Sequence, residues 1–153
     1  MKKIIFAALF CIFASMVKAQ YGALNAILQR LEEKKGVNQN LQDVNIDDSK
    51  FVLIKDFDDH TERSFIIIKG LKATYVEVFD DKQTGKSTSN VFTGDIVRSR
   101  KNIISLRADY LEGKKIPIAV TKNLLMTKQK KILYLVDINS KERWIEESAI
   151  NKK

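Results

Sequence analysis

The stretch SFIIIKGLKATYVEVF, residues 64–79, decides how this chain folds. Its first part, Ser64-Phe65-Ile66-Ile67-Ile68, is almost continuously apolar, as expected of a central strand with both faces covered. Its second part alternates. In an extended chain Tyr75, Glu77 and Phe79 point one way, and Val76 and Val78 the other. Only Gly70-Leu71 separates the two runs, a link of hairpin size.

The same texture continues on both sides. Segments rich in β-branched and aromatic residues recur at 51–57, 63–69, 73–79, 87–92, 96–99, 103–106, 116–121, 131–138 and 143–146. In the segment 131–138, Ile132, Tyr134 and Val136 oppose Leu133 and Leu135, so both faces are fit for burial. The links at 58–62, 70–71, 80–86, 93–95 and 139–142 are all short. In Gln83-Thr84-Gly85-Lys86 the glycine suits the left-handed position that closes a bulged hairpin. No long helical crossover lies between strands, so parallel pairing is not expected. Residues 108–115 (ADYLEGKK) interrupt the pattern with room for one helical turn, and Pro117, the only proline, falls at the start of the next strand.

Upstream the periodicity changes. Leu24, Ile27, Leu28 and Leu31 form one apolar stripe, Lys34 and Lys35 suit a last helical turn, and Gly36 supplies the stop. A helix is expected at 22–35, followed by a polar connection over 38–50. The expected fold is therefore α+β but mainly β. An N-terminal helix precedes an antiparallel β-meander of about eight or nine short strands, forming a curled sheet or small barrel.

The first residues read as a targeting signal. Lys2 and Lys3 precede an apolar run over 4–17, and Val17-Lys18-Ala19 resembles a cleavage site before Gln20. The run falls short of the roughly 20 residues a membrane-crossing helix needs. The expectation is a signal peptide at 1–19 and a single β-rich domain at 20–153. That makes the protein exported, periplasmic or extracellular, with no transmembrane segment after processing. The only cysteine, Cys11, leaves with the signal, so the domain holds itself together by burial without disulfides.

Few catalytic chemistries suit the remaining residues. A cysteine nucleophile is excluded, and a serine triad would have to use His60, the only histidine, with no G-x-S-x-G elbow in the chain. His60 reads as a solvated turn residue. Asp56, Asp58, Asp59 and Glu62 surround it, and Asp47-Asp48 and Asp80-Asp81 form further acidic spots, but none matches a calcium loop. Residues 57–64 weakly echo residues 79–87, which turn-forming aspartates explain without a duplication. Gly85-Lys86-Ser87 lacks the earlier glycine of a phosphate-binding loop. Neither a metal nor a cofactor is implied, and the expectation is a protein without enzymatic activity. Trp144, the single tryptophan, is expected in the core beside Tyr134.

Charge supplies the remaining signal. The chain carries a formal +8, and its basic excess is concentrated in one segment. There Arg98, Arg100, Lys101, Arg107, Lys114, Lys115, Lys122, Lys128, Lys130 and Lys131 face only Asp109 and Glu112. These bases are candidate anion-binding residues, for lipopolysaccharide or another anionic polysaccharide of the envelope. Lysines on loops and edge strands also serve simply to prevent aggregation. Tyr110 is the only aromatic residue among them, which argues against nucleic acid. Three functions are therefore expected: an exported binding module for an anionic component or another exported protein, a small barrel carrying an apolar ligand, or a periplasmic immunity or inhibitor protein.

Overall fold

A computed structural model describes residues 39–99 and 102–150. Eight strands run up and down in chain order and close on themselves: β1 (Lys50–Asp56), β2 (His60–Lys69), β3 (Lys72–Asp81), β4 (Ser87–Arg98), β5 (Ile103–Leu111), β6 (Lys114–Gln129), β7 (Ile132–Asp137) and β8 (Arg143–Glu146). Every neighbour is antiparallel, and the seam pairs β1 with β8 through Phe51↔Glu146 and Val52↔Ile145. One short helix, α1 (Glu147–Ile150), follows. The expected helix at 22–35 and the signal at 1–19 lie outside the described residues. Among the described residues no helix is long and apolar enough to cross a membrane.

The decisive stretch pairs as read, but only the inward face of β2 is covered; Phe65 and Ile67, on its outer face, remain partly exposed. β2 and β3 pair over their whole length, from His60↔Asp81 to Lys69↔Lys72, around Gly70, whose φ is +57°. Tyr75 and Glu77 of β3 point inward, and Ile66 and Ile68 of β2 are buried. Gly85 takes φ +66° in the β3–β4 turn, where Asp81 accepts from the amides of Gln83 and Thr84, both at 2.8 Å.

Three expectations need correction. Residues 93–95 are not a link. Segments 87–92 and 96–99 belong largely to one strand, β4, which continues through a bulge at Thr93/Gly94. Gly94 makes this possible, because β5 passes so close that a side chain there would overlap the Arg107 carbonyl. Residues 108–115 are not helical. They form the β5–β6 hairpin, turned by Glu112 and Gly113 at φ +48° and +78°. Positive φ at both loop residues matches the twist of paired strands better than a helical turn does. Finally, Pro117 lies inside the long strand β6, not at its start. It falls where pairing is interrupted, between Ala108↔Val120 and Tyr110↔Lys115, so no ladder bond is lost.

The barrel has two unlike halves. Phe51, Ile66, Ile68, Ile96, Ile104, Leu106, Leu124, Met126 and Leu135 fill one, and the segment before β1 closes it with Leu41, Val44 and Ile46. Polar groups fasten this plug. The Leu41 amide donates to buried Asn102 Oδ1 at 2.9 Å, and the Arg98 guanidinium donates to the carbonyls of Val44, at 2.6 Å, and Leu41. The other end bears the β1–β2, β3–β4, β5–β6 and β7–β8 turns and is open.

Candidate functional site

Strand alternation builds the open end. The inward stripe of β1 runs Phe51, Leu53, Lys55; that of β2 runs Ile68, Ile66, Ser64, Glu62; that of β3 runs Ala73, Tyr75, Glu77, Phe79. In β6 it runs Met126, Leu124, Lys122, and Glu142 precedes Trp144 of β8. Each stripe is apolar toward the plug and turns polar near the mouth, although that of β3 ends in Phe79 at the rim. Together these ends line a cavity of about 320 Å³. Eight-stranded barrels are just wide enough to be filled by side chains or to hold one small ligand. Here the plugged half is filled and the mouth is hollow.

Trp144 and Tyr75 form the floor. Trp144 is fully buried and its indole Nε1 donates to Ser64 Oγ at 2.9 Å. The core position expected for Trp144 holds, but its expected neighbour does not. Tyr134 faces outward, opposite Ile145, with the Arg143 guanidinium 3.6 Å above its ring. Tyr75 is 4 % exposed and donates to Glu77 Oε1 at 2.8 Å. Burial, with the nearby Glu77 carboxylate, pushes the Tyr75 phenol above its ordinary value, so it remains a neutral donor.

The wall is an ionic chain. Lys55 donates to Glu142, and to Glu62 at 3.5 Å, while Glu142 Oε2 also accepts from Ser140 Oγ at 3.0 Å. The Lys55 bond holds the Glu142 carboxyl below its ordinary range, and the same bond raises Lys55. Lys122 is held differently. Its ammonium lies 4.7 Å from the Tyr75 ring centroid and 5.3 Å from that of Trp144, and among the described residues it forms no salt bridge.

At the rim, His60 is not the solvated turn residue expected. It opens β2, and its ring stacks between Phe57 and Phe79 at 4.5 and 4.6 Å, with Nδ1 2.6 Å from Asp59 Oδ1. The hydrogen bond to His60 lowers the Asp59 carboxyl from its ordinary value. Lys82 ties the two acidic turns together: its ammonium meets Asp56 at 2.7 Å and its amide donates to Asp59 at 3.0 Å. The echo between residues 57–64 and 79–87 thus corresponds to two adjacent turns on one rim.

The described basic residues of the 98–131 segment do not gather on one surface. Arg98 points into the plugged end, where burial lowers its guanidinium from the ordinary value. Arg107 is exposed on β5. Lys114 and Lys115 follow the hairpin turn at the open end, whereas Lys128, Lys130 and Lys131 lie at the β6–β7 turn of the plugged end, where Gln39 bonds the Lys128 backbone. Lys122 enters the cavity. Arg100 and Lys101 lie outside the described residues. The ring of Lys55, Glu62, Tyr75, Glu77 and Glu142 was missed in the sequence. The signal available was a charge at the end of an otherwise apolar alternating face, as in Tyr75-Glu77. The chain matches no protein-family model, no curated protein and no solved structure.

Proposed function

We propose that this chain is an exported, non-enzymatic binding protein that holds one small polar molecule in the open end of its barrel. The observation that carries the reading is the division of one closed barrel into a filled apolar half and a hollow polar half of about 320 Å³. A barrel needing only stability has no use for Lys55, Glu62, Glu77, Lys122 and Glu142 on its inner stripes, since inward charges cost desolvation unless paired. A few convergent polar groups over an aromatic floor are what fix a ligand's orientation.

The polar lining favours a hydrogen-bonding ligand over the apolar cargo that the strand pattern suggests. It also favours a cavity over an outer anion-binding face, because the described bases lie at both ends of the barrel. The proposed export rests on the charged and apolar residues at 1–19.

The test uses Trp144, the only tryptophan in the sequence. A library of small polar metabolites is screened by Trp144 emission and by thermal shift. A true ligand changes the emission saturably and, at a hundred times its dissociation constant, stabilises the fold by about 2.7 kcal/mol. Leu53→Tyr, which puts a larger side chain into the cavity without adding a second indole, abolishes both effects. Binding that survives Leu53→Tyr would move the site elsewhere and refute the reading.

A further inference from the structure

The geometry points to an anionic ligand, a compact carboxylate or similar group anchored by the ammonium of Lys122. This inference rests on the mouth being a ligand site.

The charged groups around the cavity are not equally available. Lys55 is engaged by Glu142 and Glu62. Glu142 accepts from Ser140 as well, and Glu77 accepts from Tyr75. Each of these three carboxylates therefore already has a donor inside the barrel. Lys122 fits this scheme only in part: its charge helps to lower the nearby Glu142 carboxyl, yet no carboxylate of the described residues comes within salt-bridge distance of it. It is half-buried, sits over two aromatic rings, and makes no hydrogen bond or salt bridge from Nζ among the described residues. Ring faces attract an ammonium through their quadrupole but accept its N–H groups poorly, so its three donors remain unspent.

Position argues the same way. Lys122 follows Leu124 and Met126 on the inward stripe of β6, at the level where the interior changes from apolar to polar. Its ammonium rests on the floor of the cavity rather than on the rim, where solvent would screen it. A cationic ligand would have to displace Lys122 from the rings it already covers. An anion instead completes its coordination and is worth most in this partly desolvated place. Asn90, opposite Glu77 on β4, lines the same cavity and has no side-chain hydrogen bond among the described residues, so its amide can serve the neutral part of the ligand.

Two scaffold-matched series test the charge preference on the full chain: glucuronate, glucose and glucosamine, and cyclohexanecarboxylate, its amide and cyclohexylmethylamine. Binding is read from Trp144 emission and from the indole N–H resonance. The expected result is that at least one carboxylate binds ten-fold or more tighter than its neutral and cationic partners. Lys122→Met removes that preference, Lys122→Arg keeps it, and Lys115→Met on the exposed part of β6 changes nothing. Far-UV circular dichroism shows that each variant retains the barrel. Tighter binding of the neutral or cationic members, or an anion preference that survives Lys122→Met, overturns the assignment while leaving a ligand site in place. Should no member of either series move the Trp144 signals at about 10 mM, ten times the roughly 1 mM dissociation constant of a weak complex, the ligand-site reading itself fails.

Discussion

Replacing Gly94 with alanine sets a methyl carbon 2.0 Å from the Arg107 carbonyl oxygen and 2.5 Å from Cα of Ala108. Ordinary contacts between such atoms are about 3.5–4.0 Å, so β4 and β5 must separate locally by roughly 1.5 Å. Both obstacles are backbone, and no rotamer change relieves them. Neighbouring strands lie only about 4.7–4.9 Å apart, so a shift of that size breaks the ladder bonds beside the bulge. Overpacking costs about 1–3 kcal/mol, and one or two lost hydrogen bonds add about 1 kcal/mol each. The expected loss is about 3 kcal/mol. Gly85→Ala is the control. Gly85 has φ +66° but nothing within 4 Å of a new Cβ, so only the left-handed strain of about 1–2 kcal/mol applies. Urea unfolding measures both. With a slope near 2 kcal/mol/M, Gly94→Ala lowers the midpoint by about 1.5 M and Gly85→Ala by less than 1 M. If Gly94→Ala unfolded within about 0.5 kcal/mol of the parent, or later than Gly85→Ala, the close β4–β5 approach would be refuted.

Asn102→Ala leaves the buried Leu41 amide without its acceptor and should cost about 1–3 kcal/mol; hydrogen exchange at Leu41 should accelerate, and an unchanged rate would contradict this fastening of the plug. Lys130 and Lys131 occupy the β6–β7 turn at φ +48° and +70°. Exchanging them for asparagine and glycine, which tolerate this geometry, should stabilise the chain by about 1–2 kcal/mol, and an unchanged urea midpoint would contradict the turn. Acid should destabilise the barrel in a definite window. Lys55 holds the Glu142 carboxyl below its ordinary 4.5, and Asp56 and Asp80 are held below 3.8, chiefly by bonds from Lys82 and Arg63. Where folded values are lowered, the unfolded chain binds more protons. The stabilisation is therefore complete above the ordinary values and is lost as pH falls through the folded ones. Urea midpoints measured at descending pH below about 5 should decline, and Glu142→Gln should flatten the decline.

Much of the fold was legible because a strand writes its environment with a period of two. The pairing of 64–79 follows from alternating faces and a glycine between them, and the short links led to antiparallel order without long-range information. The errors fell where another strand decides the outcome. Thr93-Gly94-Asp95 looks like a turn, but Gly94 is there because Arg107 passes against it, a contact between residues far apart in the chain. Residues 108–115 carry no strand-like run, yet pairing with β4 and β6 extends them.

The site divides in the same way. Alternation alone put Glu77 on the face of Tyr75 and Phe79. Only closure shows that this face is the inside, and that Lys55, Glu62, Glu142 and Lys122 meet it from four other strands or their ends. The described bases of the 98–131 segment lie apart for the complementary reason. Residues 98–131 are contiguous in sequence, but an up-and-down strand carries its two ends to opposite poles. The 16-residue β6 thus sends Lys114 to the mouth and Lys128 toward the plug. Sequence determined which residues share a face, since that is local backbone geometry. Tertiary structure decided which face is enclosed and which charges become neighbours, because both depend on how eight strands close.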